Sequence, residues 1–377
     1  MNAQNIEKKP TIKKETKNKI KVDFERTSLK ERLKAKYFSF FFLKKVIWFI
    51  FRFILLLGIS YVVLFPFFSK IAGSFMSPED FVDVTVILIP KHFTLDIYKA
   101  IFKDLGYWEA FTNTLLLSSI TALLQTFVCC LVAYGLAKFK FKGNKFVFLA
   151  VILTMLVPHP TLHLSMYMNF RYFDMLGIVQ FLEGGGITIF GKTFTNEVLA
   201  SINVFPDTKD QESIWRLFSS SGINLTNTFA PMIILSITGL AFKNGLYIFM
   251  LRQFFRGVPD ELEESAYIDG SGTLRTFIKI ILPLSIPMMI TVFLFAFSWQ
   301  WTDSYYTTLF FTTSKHVLMP DIVNIPDSLV TNYAGQTLYY SAIRNTCGLM
   351  IIAPLVVVYV FCQRFLVQGI ERSGITG

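Results

Sequence analysis

Charge is scarce in this 377-residue chain: Asp, Glu, Lys and Arg together make up 16%, where a soluble domain carries about a quarter. So little charge cannot clothe the surfaces of two or three soluble domains, and it excludes charge-rich disorder. Cysteine is scarce as well. Cys129, Cys130, Cys347 and Cys362 all fall inside apolar runs, form no CxxC pair and lack the His/Cys spacing of a zinc site. A disulfide scaffold is therefore excluded, and the four read as small buried hydrophobes. What is abundant is apolar: 53% of the residues, including 41 Phe. Such an excess suits a surface that meets lipid, and the chain reads as an all-α integral membrane protein.

The net charge of +10 is local. Residues 1–45 carry fourteen Lys/Arg against five Asp/Glu, so nearly all the excess sits in a polar tail before the first apolar run. The tail has no aromatic interleaving before Tyr37, which argues against nucleic acid as a partner. A basic segment flanking a span marks the cytoplasmic side.

Crossing a bilayer takes about 20 apolar residues, and six runs qualify, at about 46–68, 112–136, 146–167, 229–251, 284–311 and 346–367. Arg52 interrupts the first and can snorkel toward the interface. That run is too long for a signal peptide and no small-residue cleavage site follows it. The loop after the second run has Lys138, Lys140, Lys142 and Lys145 and no acid, which assigns it to the inside. Segments 69–111 and 168–228 each hold six acids against four basic residues and belong outside. Both termini and the loop 252–283 are then cytoplasmic.

That loop carries the most information. Pro259 suits a first helical turn, and Asp260, Glu261, Glu263 and Glu264 favour the positive end of a helix. Gly270 suits a break with φ > 0. A second short helix follows from Ser271 or Thr273 to Pro283. Leu262, Ala266, Leu274 and Phe277 are expected to form an apolar ridge that docks in a cytoplasmic groove. A hairpin lying on lipid headgroups is the alternative, disfavoured by the acids because the inner leaflet is negative.

The pattern Glu264-Ser265-Ala266, Gly270, Ile280 and Leu282-Pro283 resembles the EAA loop of ABC-importer permease subunits, with Ser265 where the family usually has Ala. Ile89-Pro90 with Phe93-Thr94-Leu95-Asp96-Ile97-Tyr98, Asn113-Thr114, the run Ala133 to Phe139, and Gln363 to Gly369 resemble the carbohydrate, maltose-type branch. The resemblance covers about 70–377 and implies the six-span type I permease fold. It implies a heterodimer with a second, related permease, two cytoplasmic ATPase subunits and an extracytoplasmic substrate-binding protein. ATP and Mg would be held by the ATPases, so this chain would be no enzyme and would need no cofactor or metal. Glu261, Glu264, Ala266, Asp269, Gly270, Leu282 and Pro283 would couple it to the ATPase, with Glu264 meeting a polar partner and Gly270 permitting the bend.

Three further stretches matter. Gly186 to Thr193 satisfies the pattern G-x-x-x-x-G-K-[ST], but it reads as a hairpin turning at Gly191, not as a phosphate-binding loop. Residues 178–222 interrupt the family pattern as an extracytoplasmic insertion, expected to touch the binding protein or the pore mouth or to have no role. Polar residues inside spans often line a pathway. Lys243, Asn244, Trp299, Trp301, Asp303 and Tyr305 are the candidates for a sugar path, against an ordinary interfacial aromatic belt. An ion-gradient-driven secondary transporter would show inverted repeats and deep acids, and neither is clear. An ABC permease for a polyol phosphate or a lipid-linked glycan remains a further alternative.

Overall fold

The computed structural model describes residues 40–174, 224–241, 243–313, 317–332 and 335–372, with short strands at Lys13–Lys14, Ile20–Lys21, Gly186–Ile189, Lys192–Thr195, Phe218–Ser219 and Gly222–Ile223. The chain divides into two compact units, Met1–Ser69 and Lys70–Gly377. Most of the first unit's described residues belong to α1 (Phe40–Gly73), whose apolar window buries nothing. An all-round apolar helix in that condition is dressed for lipid.

In the second unit the core lies among α3 (Tyr107–Lys138), α7 (Asn244–Arg256), α9 (Thr273–Trp301) and α11 (Gln336–Arg372). Helix α2 (Asp96–Asp104) lies just before α3 and adds Ile97 and Ile101 to that core. The buried stripe of α3 is made of small residues at helical spacing: Ala110, Thr114, Ser118, Thr121, Ala122, Cys129 and Ala133. Small side chains let neighbouring backbones approach, and packing of that kind holds helices together where lipid removes the hydrophobic drive. Two of the hydroxyls that α3 buries bond within the helix, Thr121 to Leu117 O and Thr126 to Ala122 O, each at 2.7 Å, whereas Thr114 Oγ1 accepts from Met319 N and Ser118 Oγ is buried without a hydrogen-bond partner.

Two of the six apolar runs are not single straight helices. The third is α4 (Asn144–Leu156) followed after a 92° bend by residues 160–171, which end in α5 (His163–Arg171). Pro158 and Pro160 disfavour helical conformation in the residues before them, so α4 stops at Leu156 and Val157 is extended. The run 229–251, expected as one span, is α6 (Ala230–Ile237) and α7 with a break between them. Gly239 at φ +75° and Lys243 at φ +68° turn the chain there. Among the described residues, four helices are long and apolar enough to cross a bilayer, or five if the bent pair is one span.

Boundaries differ elsewhere too. The fifth run ends at Trp301, and its polar end is a separate helix, α10 (Tyr305–Phe310). The sixth run extends to both sides, because α11 starts at Gln336. Gly186–Ile189 and Lys192–Thr195 (β3 and β4) pair antiparallel, Ile189 opposite Lys192. Lys192 and Thr193 thus lie in a strand rather than at the start of a helix, which a phosphate-binding loop requires. The remainder of 178–222 lies outside the described residues except for β5 (Phe218–Ser219) and β6 (Gly222–Ile223).

Candidate functional site

The loop 252–283 forms a hairpin around α8 (Glu261–Ile268). Glu261, Glu263 and Glu264 fill its first turn, where the exposed N–H groups favour negative charge. Its end is a Schellman turn: Ser271 N donates to Ala266 O at 2.9 Å and Gly270 N to Tyr267 O at 3.0 Å. Gly270 sits at φ +77°, a conformation that a side chain makes costly. The second arm is not a short helix ending at Pro283. It is the start of α9, which runs from Thr273 through Leu282 and Pro283 to Trp301. Over Phe277–Ile281 the helix widens, and Leu282 N reaches back five residues to Phe277 O. That wider turn carries the helix into Pro283, whose ring and missing N–H would otherwise break a regular turn.

The exposed ridge differs from the expected one. Ala266 (5% exposed) and Phe277 (3%) face the protein, and Phe277 lies 4.6 Å from the ring of Tyr134. Leu262 and Leu274 (69%) are exposed as expected, and Tyr267 and Ile268 (86%) take the places of the two buried residues. Glu261, Glu264 and Asp269 are exposed beside them. The hairpin therefore presents an apolar patch rimmed with acids, attached without interruption to a membrane helix.

At the other end of α8 stands a residue that span reading used only for orientation. Lys138, the last residue of α3, donates to Val258 O at 2.8 Å and to Asp260 Oδ1 at 2.6 Å, with Glu263 Oε1 at 3.8 Å. Its side chain is 7% exposed. Lys138 holds the Asp260 carboxyl below the usual carboxylate range. Burial pushes Glu263 up, with Lys138 opposing. The Tyr134 hydroxyl is buried beside the Glu263 carboxyl. The end of α3 also receives Arg252 Nε on Leu136 O at 3.3 Å and Asn144 Nδ2 on Phe139 O at 2.9 Å. The sequence signals for this knot are a lysine closing an apolar run and the run Ala133 to Phe139 that contains it.

Between the two interrupted runs lies a cavity of about 1080 Å³, whose polar lining includes Thr154, Asn169, Lys243, Asp303, Tyr305 and Tyr306. Lys243 Nζ stands 4.8 Å from the centre of the Trp299 ring, which is half exposed. Asp303 accepts from Tyr305 N at 3.2 Å and Tyr306 N at 3.1 Å, so it also caps α10. Three of the suggested pathway residues thus meet in one cavity, with Trp299 stacked beside Lys243. Asn244 is buried at the start of α7 and does not line the cavity. Trp301 is fully buried and donates Nε1–H to Ile351 O at 2.9 Å; it is a core residue, not a pathway one.

A helix hairpin continuous with a span, in a protein that also holds a cavity flanked by broken helices, suits a transport subunit. The family model for the binding-protein-dependent transport system inner membrane component matches residues 125–372, a stretch that contains the hairpin, the knot and the cavity. The chain belongs to that family. This permease is a multi-pass membrane protein. It is 23% identical over 318 residues to the inner membrane ABC transporter permease protein YcjP of Escherichia coli (strain K12), covering 84% of this chain and 92% of that protein. It is 25% identical over 331 residues to the polygalacturonan/rhamnogalacturonan transport system permease protein YtcP of Bacillus subtilis (strain 168), covering 85% of this chain and 96% of that protein. A chain from the crystal structure of a bacterial ABC transporter that imports the acidic polysaccharide alginate superposes with a TM-score of 0.57. At 16% identity it covers 90% of this permease and 99% of itself. The fold is accordingly that of an ABC-importer permease.

Proposed function

We propose that this permease forms half of the translocation pore of an ABC importer for a sugar, oligosaccharide or polysaccharide. The observation that carries the reading is the hairpin: a capped helix with bare Leu262, Ile268 and Leu274, continuous with α9. Such a patch fits a groove on a cytoplasmic ATPase, and its attachment to a span converts closure of that ATPase into tilting within the membrane. Two ATPase subunits hold ATP and Mg, so this chain catalyses no covalent step and carries no cofactor. A second, related permease completes the pore, and an extracytoplasmic binding protein delivers the substrate. Six crossings, with α6 and α7 counted as one interrupted crossing, leave both termini cytoplasmic, as the basic tail and the lysines after α3 require. The insertion at 178–222 then lies outside, at the side of the binding protein.

Carbohydrate is supported by the transport systems of relatives such as YtcP and by the chemistry of the cavity. Tyr305 and Tyr306 offer ring faces to sugar C–H surfaces, and Asn169, Lys243 and Asp303 offer hydrogen bonds to a hydroxyl rim. The test is the reconstituted complex in proteoliposomes, with its two permeases, ATPases and binding protein, offered a panel of neutral and uronate oligosaccharides. Glycan-dependent stimulation of ATP hydrolysis together with uptake is expected. Uptake that persists without the ATPases and follows a proton or sodium gradient would overturn the reading.

A further inference from the structure

We propose that Lys138 is the positioning residue through which movement of the α8 hairpin reaches a second membrane helix, α3, as well as α9. The inference rests on the coupling role given to the hairpin above. One end of α8 has a covalent route into the membrane, through the Gly270 turn into α9. The other end leads through residues 257–260 into α7 but has no covalent route to α3, which is distant in sequence. The link is the Lys138 ammonium, which binds Val258 O and Asp260 Oδ1, the residues that lead into α8, and faces Glu263 Oε1 within α8 itself.

Burial makes this link stiff. With 7% of its side chain exposed, Lys138 cannot exchange these acceptors for water when α8 moves. Leaving a charge buried and unpartnered is far costlier than dragging its helix along. Tyr134, one turn back on α3, seats its ring against Phe255 of α7 and Phe277 of α9, so the same corner is packed as well as paired. Asn144 at the start of α4 and Arg252 on α7 bond to the last carbonyls of α3, which extends the connection to both interrupted runs around the cavity. Displacing α8 therefore pulls on α3 as well as on the two helices continuous with it, α7 and α9. Without the ammonium, α9 follows and α3 can slip.

The test separates the two routes. Single cysteines replace exposed residues at the far ends of the two helices, Glu109→Cys on α3 and Thr302→Cys beyond α9, in a Cys362→Ser background. The complete complex is probed with a membrane-impermeant maleimide before and after trapping with ATP and vanadate. In the otherwise native complex both sites change labelling rate. In Lys138→Met the response at position 109 falls by about fivefold or more, the lower end of ordinary coupling energies. The response at position 302 persists, and Lys138→Arg restores position 109. A merely structural role for Lys138 would not split the two sites. Native-size responses at both sites in Lys138→Met overturn the strut while leaving the hairpin's coupling role intact. No response at either site in the native complex sinks the coupling role itself. Should Lys138→Met fail to assemble, Asp260→Ala, which removes the Oδ1 acceptor of a side chain that is 79% exposed, is read in its place, and an undiminished response at position 109 there also overturns the proposal.

Discussion

Glu263 shows how one methylene-scale choice of position alters the chemistry of an acid-rich turn. Its neighbours Glu261 and Glu264 point to solvent and enjoy the helix N-terminus, whereas Glu263 is 8% exposed. Burial raises its pKa above the ordinary value of 4.5, and Lys138 only partly offsets this. A group whose pKa is higher in the folded state contributes stability below its unfolded pKa and loses it as pH rises through the folded one. Glu263 thus favours the folded chain most when protonated, and that contribution fades above the ordinary glutamate range. Glu263→Gln is expected to flatten the pH dependence of thermal unfolding above the ordinary glutamate value of 4.5, with the relative gain at the alkaline end. Melting curves of the detergent-solubilised complex at several pH values check this; an unchanged slope would show that Lys138 fully neutralises the carboxylate. The signal for this residue was absent from the sequence, because four acids in one turn look alike until the helix face is known.

At the scale of elements, two helix contacts give sharper tests. Gly245, in the first turn of α7, lies against α4 so closely that a Cβ there would stand 2.7 Å from Thr154 Oγ1 and 3.0 Å from Val151 O. Gly245→Ala should force the pair apart at a cost of about 1–3 kcal/mol, read as a lower melting temperature of the complex. The exposed ridge makes the opposite prediction. Ile268→Asp touches nothing inside the chain, so it should change folding stability by about 0.5 kcal/mol or less yet abolish copurification of the ATPase subunits. Retained copurification would move the docking surface elsewhere. The hairpin was legible because its grammar is local: acids at a helix start, a glycine at its left-handed end, a proline-marked entry into a span. What was not legible was its facing, since Ala266 and Leu262 are both apolar and only the packing of Phe277 on Tyr134 decides which turns inward. The break in 229–251 escaped for a related reason. Hydropathy registers composition, and nothing in a lysine announces that it will adopt φ +68°.

At the scale of the whole molecule, the irregular points of the second unit meet at one cavity. The bend at Pro158, the break at Gly239–Lys243 and the turn at Asp303 that follows α9 all border the same cavity. Irregular backbone at membrane depth is tolerated only where protein or water satisfies its polar groups, so three interruptions around one void fit the polar path proposed above. Lys243 fits that account: a non-glycine residue in a left-handed conformation stores strain of roughly 1–3 kcal/mol, and its ammonium is directed over Trp299 at the cavity edge. Filling the void should therefore stop transport without disturbing assembly. Thr238 suits the test because its side chain lines the cavity, its backbone is ordinary right-handed helix, and its hydroxyl bonds only within α6. Thr238→Trp is expected to leave subunit stoichiometry and basal ATP hydrolysis within about twofold of the native complex, a difference under 0.5 kcal/mol, while uptake falls to background. If uptake survives a tryptophan there, the substrate passes along the companion permease instead, and the polar rim of Lys243, Asp303 and Tyr305 serves to hold the broken helices together.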